Sequence, residues 1–310
     1  MINKANFQRT IKNTIKASGV ALHSGKKVNL TLHPAAADAG IVFRRTDLSQ
    51  PVDLRACAMT VGDTRMATTL ESGGVQVATI EHLMSALAGL GVDNVTVEID
   101  GPELPIMDGS AAPFVFLLQS AGIEGQPNLK KFLRIVKPVQ IELDGAEASL
   151  EPFDGFKLSY TLDYDHPVFA AHEHRACIEC TSVSFLKEIS RARTFGFLAD
   201  YERLKMLNLA QGGSLDNAVV LDESKILNTE GLRVADEFVK HKILDAVGDL
   251  YLLRYSLIGW FKGYKSGHGT NNGLLRKLLA TPEAFEIISF DDEASLPPSF
   301  RHSEAEIEVH

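Results

Sequence analysis

The sequence predicts an α+β protein built as two similar α+β domains, a duplicated unit with a site at the interface. Three observations carry that expectation. A chain of 310 residues is about two ordinary domains long. Short alternating runs interleave with helical stripes in both halves. A histidine also stands seven residues before a glycine twice, as His82 and Gly89 in EHLMSALAGL and as His241 and Gly248 in KHKILDAVGDL. Two such units facing one another would each bring a helix-borne histidine to their interface.

The elements follow in order. KVNLTLHP (27–34) alternates, with Val28, Leu30 and Leu32 on one face, and VDNVTVEID (92–100) does the same with Val95, Val97 and Ile99. Thr79 is placed to cap a helix through IEHLMSALAGL, where Ile80, Leu83, Met84, Leu87 and Leu90 form one apolar stripe. Gly89 and Gly91 offer its stop. After the turn-rich GPELPIMDGS, Ser110 is a good N-cap for a second helix, with Pro113 in its first turn and Gly122 closing it. EGQPN (124–128) is a polar link, which sets the two units at 1–127 and 128–310. The second half brings strands in FLRIVKPVQIEL and KLSYTLDYD, an irregular stretch, a long helix around 235–253 and a final helix near Leu274.

Composition narrows the class. With 45% hydrophobic and 23% charged residues and a mean hydropathy of 0.00, the chain can build a sizeable core and is not disordered as a whole. A net charge of -9 and a pI of 5.6 argue against nucleic acid as a partner. YLLRYSLIGWF (251–261) is broken by Arg254 and falls short of the ~20 residues of a transmembrane span. MINKANFQRT has no apolar signal core, and three cysteines fit a reducing compartment. The expectation is a cytoplasmic protein with no obligatory protein partner evident.

The residues that could carry chemistry are few. His241 and Asp245 lie four apart on a helix, about 40° in azimuth and ~6 Å along the axis, so both side chains can reach one cation. Asp249 extends that stripe, and Val239, Ile243, Ala246, Val247 and Leu250 form the opposite, apolar face. A solvated polar face with an incidental pair fits the same spacing. His82 points away from the stripe of its own helix, as a surface histidine would. Together, two histidines, one aspartate and Glu81 beside a ligand make the inventory of a catalytic zinc site. KSGHGTNNGLL sets His268 on a glycine-rich loop, free to titrate near neutrality or to have no task. RARTFGF and QGGSLDN are ambiguous by physics alone. HEHRACIEC looks like a zinc cluster, but its Cys177 and Cys180 lack a second ligand pair at finger spacing, and ACIEC alternates as a strand does. The tail, RHSEAEIEVH, reads as a frayed acidic terminus.

TIEHLMSALAGLGVDN, ELPIMDGSAAPFV, SRARTFGF, DEFVKHKILDAVGD and YKSGHGTNN resemble the UDP-3-O-acyl-N-acetylglucosamine deacetylases, the LpxC family of lipid A biosynthesis. The blocks occur in family order across nearly the whole chain. The resemblance implies a zinc amidase of two α+β domains, with one Zn2+ per chain held by His82, His241 and Asp245. It implies Glu81 as general base, His268 as general acid with Asp249 as its partner, and Thr194 as donor to the oxyanion. Lys242 would serve substrate binding. Phe195 and the insert at about 194–220 would form an apolar passage for the acyl chain, and Tyr164, Asp165 and Lys265 would hold the UDP. That insert supplies Phe195, Phe197, Leu198, Leu204, Met206, Leu207, Leu209 and Leu215, which could equally pack into the core. Gly269-Thr270 stands where the family more usually has an apolar pair.

The implied reaction is hydrolysis of the N-acetyl group of UDP-3-O-[(R)-3-hydroxyacyl]-N-acetylglucosamine, giving UDP-3-O-acyl-glucosamine and acetate. Two rivals stand beside it: a zinc amidohydrolase of the same fold acting on another acylated amine, and a catalytically inactive binding module.

Overall fold

The computed structural model describes residues 4–206 and 209–301. Leu207 and the tail from 302 onward therefore lie outside the described residues. Both alternating runs of the first half become neighbouring strands. Lys27–Pro34 pairs antiparallel with Val95–Ile99, with Leu30 opposite Ile99 and Leu32 opposite Val97. Ile41–Arg45 runs parallel on the far side of Val95–Ile99, so Phe43 falls beside Val97. These residues are all buried, and the intervening ones are not, which is why the register is fixed. Ile15–Val20 and Val52–Arg55 complete a five-stranded sheet at its two edges.

The second sheet repeats the order of pairings. Val139–Leu143, Ala146–Glu151, Ser256–Tyr264, Phe156–Thr161 and Arg175–Glu179 lie side by side, antiparallel except where Ser256–Tyr264 meets Phe156–Thr161. Phe132–Ile135 and Phe285–Ile288 extend it to seven strands. In each sheet the central strand follows one helix and precedes another: Glu81–Gly89 and Ala112–Ala121 around Val95–Ile99, Glu237–Leu250 and His268–Leu279 around Ser256–Tyr264. The stripes read from sequence face inward, and buried residues of both sheets join one contiguous core.

Three local expectations are corrected. EGQPN is not a loop: it lies in the strand Ile123–Leu129, which returns to pair with Phe7–Ile11. Pro127 falls within the register shift between the Phe7–Leu129 and Arg9–Gly125 pairs, where a missing N–H is tolerated. Thr79 does not cap its helix. Ile80 is the N-cap, and Thr79 sits at φ +59°, with its hydroxyl donated to Glu103. His268 is not on a loop either: it is the first residue of the helix His268–Leu279 and is buried. Among the described residues no helix is long and apolar enough to cross a membrane.

Candidate metal centre and active site

One helix crossing assembles the site. Glu81–Gly89 and Glu237–Leu250 meet at Gly248, where a Cβ would come within 2.1 Å of the Glu81 carbonyl oxygen and 3.0 Å of the Ser85 amide nitrogen. Only glycine lets the two backbones approach so closely. The crossing covers the polar side of the first helix, and so His82 is 3% exposed rather than solvated.

There the rings of His82 and His241 stand edge to face, with centroids 5.2 Å apart. Asp245 Oδ1 lies 3.3 Å from His241 Nε2 and 3.6 Å from His82 Nε2. Donors around a tetrahedral zinc at ~2.0 Å stand about 3.3 Å from one another, close to these separations. No other group of three such side chains with this proximity occurs among the described residues.

The electrostatics suit a cation. His241 Nδ1 donates to the Ala192 carbonyl at 3.0 Å, which leaves the Nε2 lone pair facing Asp245. Burial pushes the His241 imidazole down to about 4 against the pull of Asp245, so it is neutral, as a ligand must be. Burial alone would raise the Asp245 carboxyl, but His241 and Lys242 hold it well below its usual value. Lys242 Nζ donates to Asp245 Oδ2 at 2.8 Å, whereas Asp245 Oδ1 and His82 Nδ1 are buried with no hydrogen-bond partner among the described residues. A buried carboxylate oxygen without a partner is costly, and this one points between two imidazoles. The donor set of two nitrogens and one oxygen fits a zinc-like divalent ion.

A buried carboxyl and a buried imidazole flank the triad. Burial is the main influence raising the Glu81 carboxyl, moderated by His268 and His82. Its Oε2 accepts the Thr68 amide at 3.0 Å. His268 Nδ1 donates to Asp249 Oδ2 at 2.9 Å. Burial would lower that imidazole, but the charge and hydrogen bond of Asp249 lift it to about 9, so it is an imidazolium at neutral pH. Asp249 also accepts from Asn271 Nδ2 at 2.9 Å and from Thr68 Oγ1 at 2.6 Å. Glu81, His82, His241, Lys242, Asp245 and His268 line one cavity of about 450 Å³, together with Thr194, Phe195 and Tyr164.

The family model for UDP-3-O-acyl N-acetylglycosamine deacetylase (LpxC) matches residues 8–280. The curated UDP-3-O-acyl-N-acetylglucosamine deacetylase of Marinobacter nauticus is 60% identical over 293 residues, 94% of this chain and 96% of the relative. Those of Pseudomonas entomophila and Methylococcus capsulatus are 59% and 58% identical over 94% of this chain, covering 97% and 96% of their own length. The chain belongs to this deacetylase family.

The remaining residues that the resemblance to the deacetylases singled out divide into two groups. Thr194 is held at the cavity wall by its own backbone, its amide donating to Gly109 and its carbonyl accepting from Val219, both at 2.8 Å. Phe195 packs edge-on against Phe238 at 5.0 Å and faces Tyr164, which stacks on Phe169 at 4.7 Å. Asp165 and Lys265 do not line the cavity; Lys265 Nζ is paired with Asp163 at 2.9 Å. The insert begins as Phe195–Phe197, parallel to Val219–Leu221, and continues as the helix Leu198–Met206, none of whose residues is buried. Met206, Leu209 and Leu215 are exposed, so they do not pack into the core. Backbone bonds from Gln211 and Gly212 to His23 and Leu22 tie the insert to the hairpin of the first sheet.

Sequence reasoning missed two supports. Arg193 gives its Nε to Glu237 at 2.8 Å in a buried pair that pins RTFGF to the start of the long helix and sets the Ala192 carbonyl against His241. Thr68 bridges Glu81 and Asp249. Each pairs residues far apart in the chain, so no local spacing signals them. The expected decoy is a strand: Cys177 lies in Arg175–Glu179, and burial pushes the Cys180 thiol up to about 12.

Proposed function

We infer that the chain is a zinc-dependent hydrolase that removes the N-acetyl group from UDP-3-O-[(R)-3-hydroxyacyl]-N-acetylglucosamine in lipid A biosynthesis. The observation that carries this is the convergence of His82, His241 and Asp245 on one point beside Glu81 and His268. The names of relatives at up to 60% identity support the substrate. A binding module without catalysis would give that acid–base pair no task.

A divalent cation held by the three side chains supplies Lewis-acid chemistry, polarising an amide carbonyl and acidifying water. Glu81, fixed at Oε2 by the Thr68 amide, keeps Oε1 to take the proton of the attacking water. Thr194 Oγ1 donates to the oxyanion that forms. His268, held at Nδ1 by Asp249, delivers a proton from Nε2 to the departing amine. Lys242 orients the substrate from the cavity wall. Phe195 and the segment at about 194–220 receive the acyl chain; Tyr164 at the cavity wall, with Asp165 and Lys265 outside that lining, holds the UDP. The exposed Met206, Leu209 and Leu215 support that passage, since an acyl chain gains ~0.8 kcal/mol per buried methylene.

The same reading takes the chain as two like units, 1–127 and 128–310, with the site between them. The repeated order of strand pairings and of flanking helices supports it. A cytoplasmic setting is part of the proposal, and the three free cysteines agree with it.

The test is a deacetylation assay on the acylated UDP-sugar with metal-stripped protein. No turnover until zinc is added, and an efficiency lower by orders of magnitude on unacylated UDP-N-acetylglucosamine, are the expected results. Equal efficiency on the two sugars would remove the lipid-specific reading; turnover in the metal-free protein would remove the metal.

A further inference from the structure

We propose that Thr68 is a positioning residue that holds the proton acceptor and the proton donor of this site in register. It does not line the cavity and is 2% exposed, yet all three of its polar groups are committed to the site's framework. Its amide donates to Glu81 Oε2 at 3.0 Å, on one of the crossing helices. Its hydroxyl donates to Asp249 Oδ1 at 2.6 Å, on the other. Its carbonyl accepts the Ile80 amide at 3.4 Å, at the N-cap of the helix that carries Glu81.

The division of labour on Asp249 gives the hydroxyl its role. Asp249 Oδ2 receives both His268 Nδ1 and Asn271 Nδ2, each at 2.9 Å. Asp249 Oδ1 receives the Thr68 hydroxyl, at the length of a charge-assisted bond. Without that hydroxyl Oδ1 has lost its anchor, and only the two bonds at Oδ2 resist a turn of the carboxylate about its Cβ–Cγ bond. A turn shifts Oδ2 against His268 Nδ1, and the Nε2 proton loses its aim. The link to Glu81 runs through the backbone amide and survives any side-chain change. The hydroxyl therefore acts on the donor alone and is separable from the acceptor.

The proposal rests on the roles given above to Glu81 and His268, so both serve as controls. Steady-state kinetics on the acylated UDP-sugar, with metal content for each protein, compare wild type, Thr68→Val, Thr68→Ser, Glu81→Gln and His268→Asn. Thr68→Val is expected to keep its metal and its KM and to lose about ten- to a hundredfold in kcat, as loss of one hydrogen bond to a charged group does. Thr68→Ser restores most of that rate. A kcat for Thr68→Val within about twofold of wild type overturns the proposal, as does a loss confined to KM, or an equal loss in the serine variant, which would assign the effect to methyl packing. Should Thr68→Val not fold, Thr68→Ala takes its place, with the same loss expected and the same results overturning the proposal. If Glu81→Gln and His268→Asn keep wild-type kcat, the functional reading has failed and this proposal with it; if they fall while Thr68→Val does not, the Thr68 proposal alone has failed.

Discussion

The helices Glu81–Gly89 and Glu237–Leu250 share a spacing, a histidine seven residues ahead of a glycine, and put it to different uses. Gly248 admits the backbone of the other helix, with the Glu81 carbonyl 2.1 Å from where its Cβ would be. Gly89 admits a side chain, with the ring of Phe185 at 2.2 Å from its own absent Cβ. The first helix supplies His82 and Glu81, whereas the second supplies His241, Lys242, Asp245 and Asp249. Matching patterns thus do not mean matching contacts. The convergence of His82 with His241 and Asp245 depends on one close crossing, where a Cβ at Gly248 would press on the backbone of the other helix.

The largest expected difference between the two helices is in what a single truncation removes. Glu81→Ala should keep its metal and lose about 10²- to 10⁴-fold in kcat, the usual scale for a lost general base. Asp245→Ala should lose metal and rate together. Elemental analysis beside steady-state kinetics separates these outcomes, and metal loss in Glu81→Ala would erase the distinction.

The support under the second helix comes next. Arg193→Ala leaves Glu237 buried without its guanidinium, which costs about 3–5 kcal/mol for a buried pair broken on one side. Denaturant unfolding would show it as a lower midpoint at an unchanged slope. The glycines follow. Gly248→Ala should cost about 1–3 kcal/mol by overpacking and weaken metal binding, because a backbone carbonyl cannot swing aside. Gly89→Ala should cost stability on a similar scale with metal affinity intact, since it displaces only Phe185. Equal metal affinities in the two variants would contradict the account of the crossing.

The smallest effect is a pH dependence. His268 is charged up to about 9, so kcat should fall as pH rises through that value, and His268→Asn should flatten the limb. The raised imidazole has a stability consequence of the same sign. Its contribution is fully present below the ordinary histidine value near 6.5 and is lost as pH rises through about 9. A basic limb unmoved by His268→Asn would assign that proton to another group.

Much of this was legible in the sequence, and the failures have physical causes. The stripe Ile80, Leu83, Met84, Leu87 and Leu90 is buried, as its period requires. Periodicity sees one apolar face per helix, however, so it left His82 in solvent when a second helix covers that side. Glycines and asparagines around His268 suggested a loop. Those from Gly269 onward are helical, with Asn271 and Asn272 spending their side chains inward, on Asp249 and on the Ala58 carbonyl. EGQPN looked like a link because its residues are polar; it pairs with Phe7–Ile11, a partner more than a hundred residues away. The candidate triad joins residues 159 positions apart: residue types on the two helices suggested the inventory, the spacing within one helix alone left an incidental pair open, and the family blocks implied the full set.

The most direct test of the account is the zinc content of the purified chain and of His82→Ala, His241→Ala and Asp245→Ala, measured by elemental analysis after exhaustive dialysis. One zinc per wild-type chain and almost none in any of the three variants is the result the crossing predicts. Wild-type stoichiometry in two or more of the variants would contradict it.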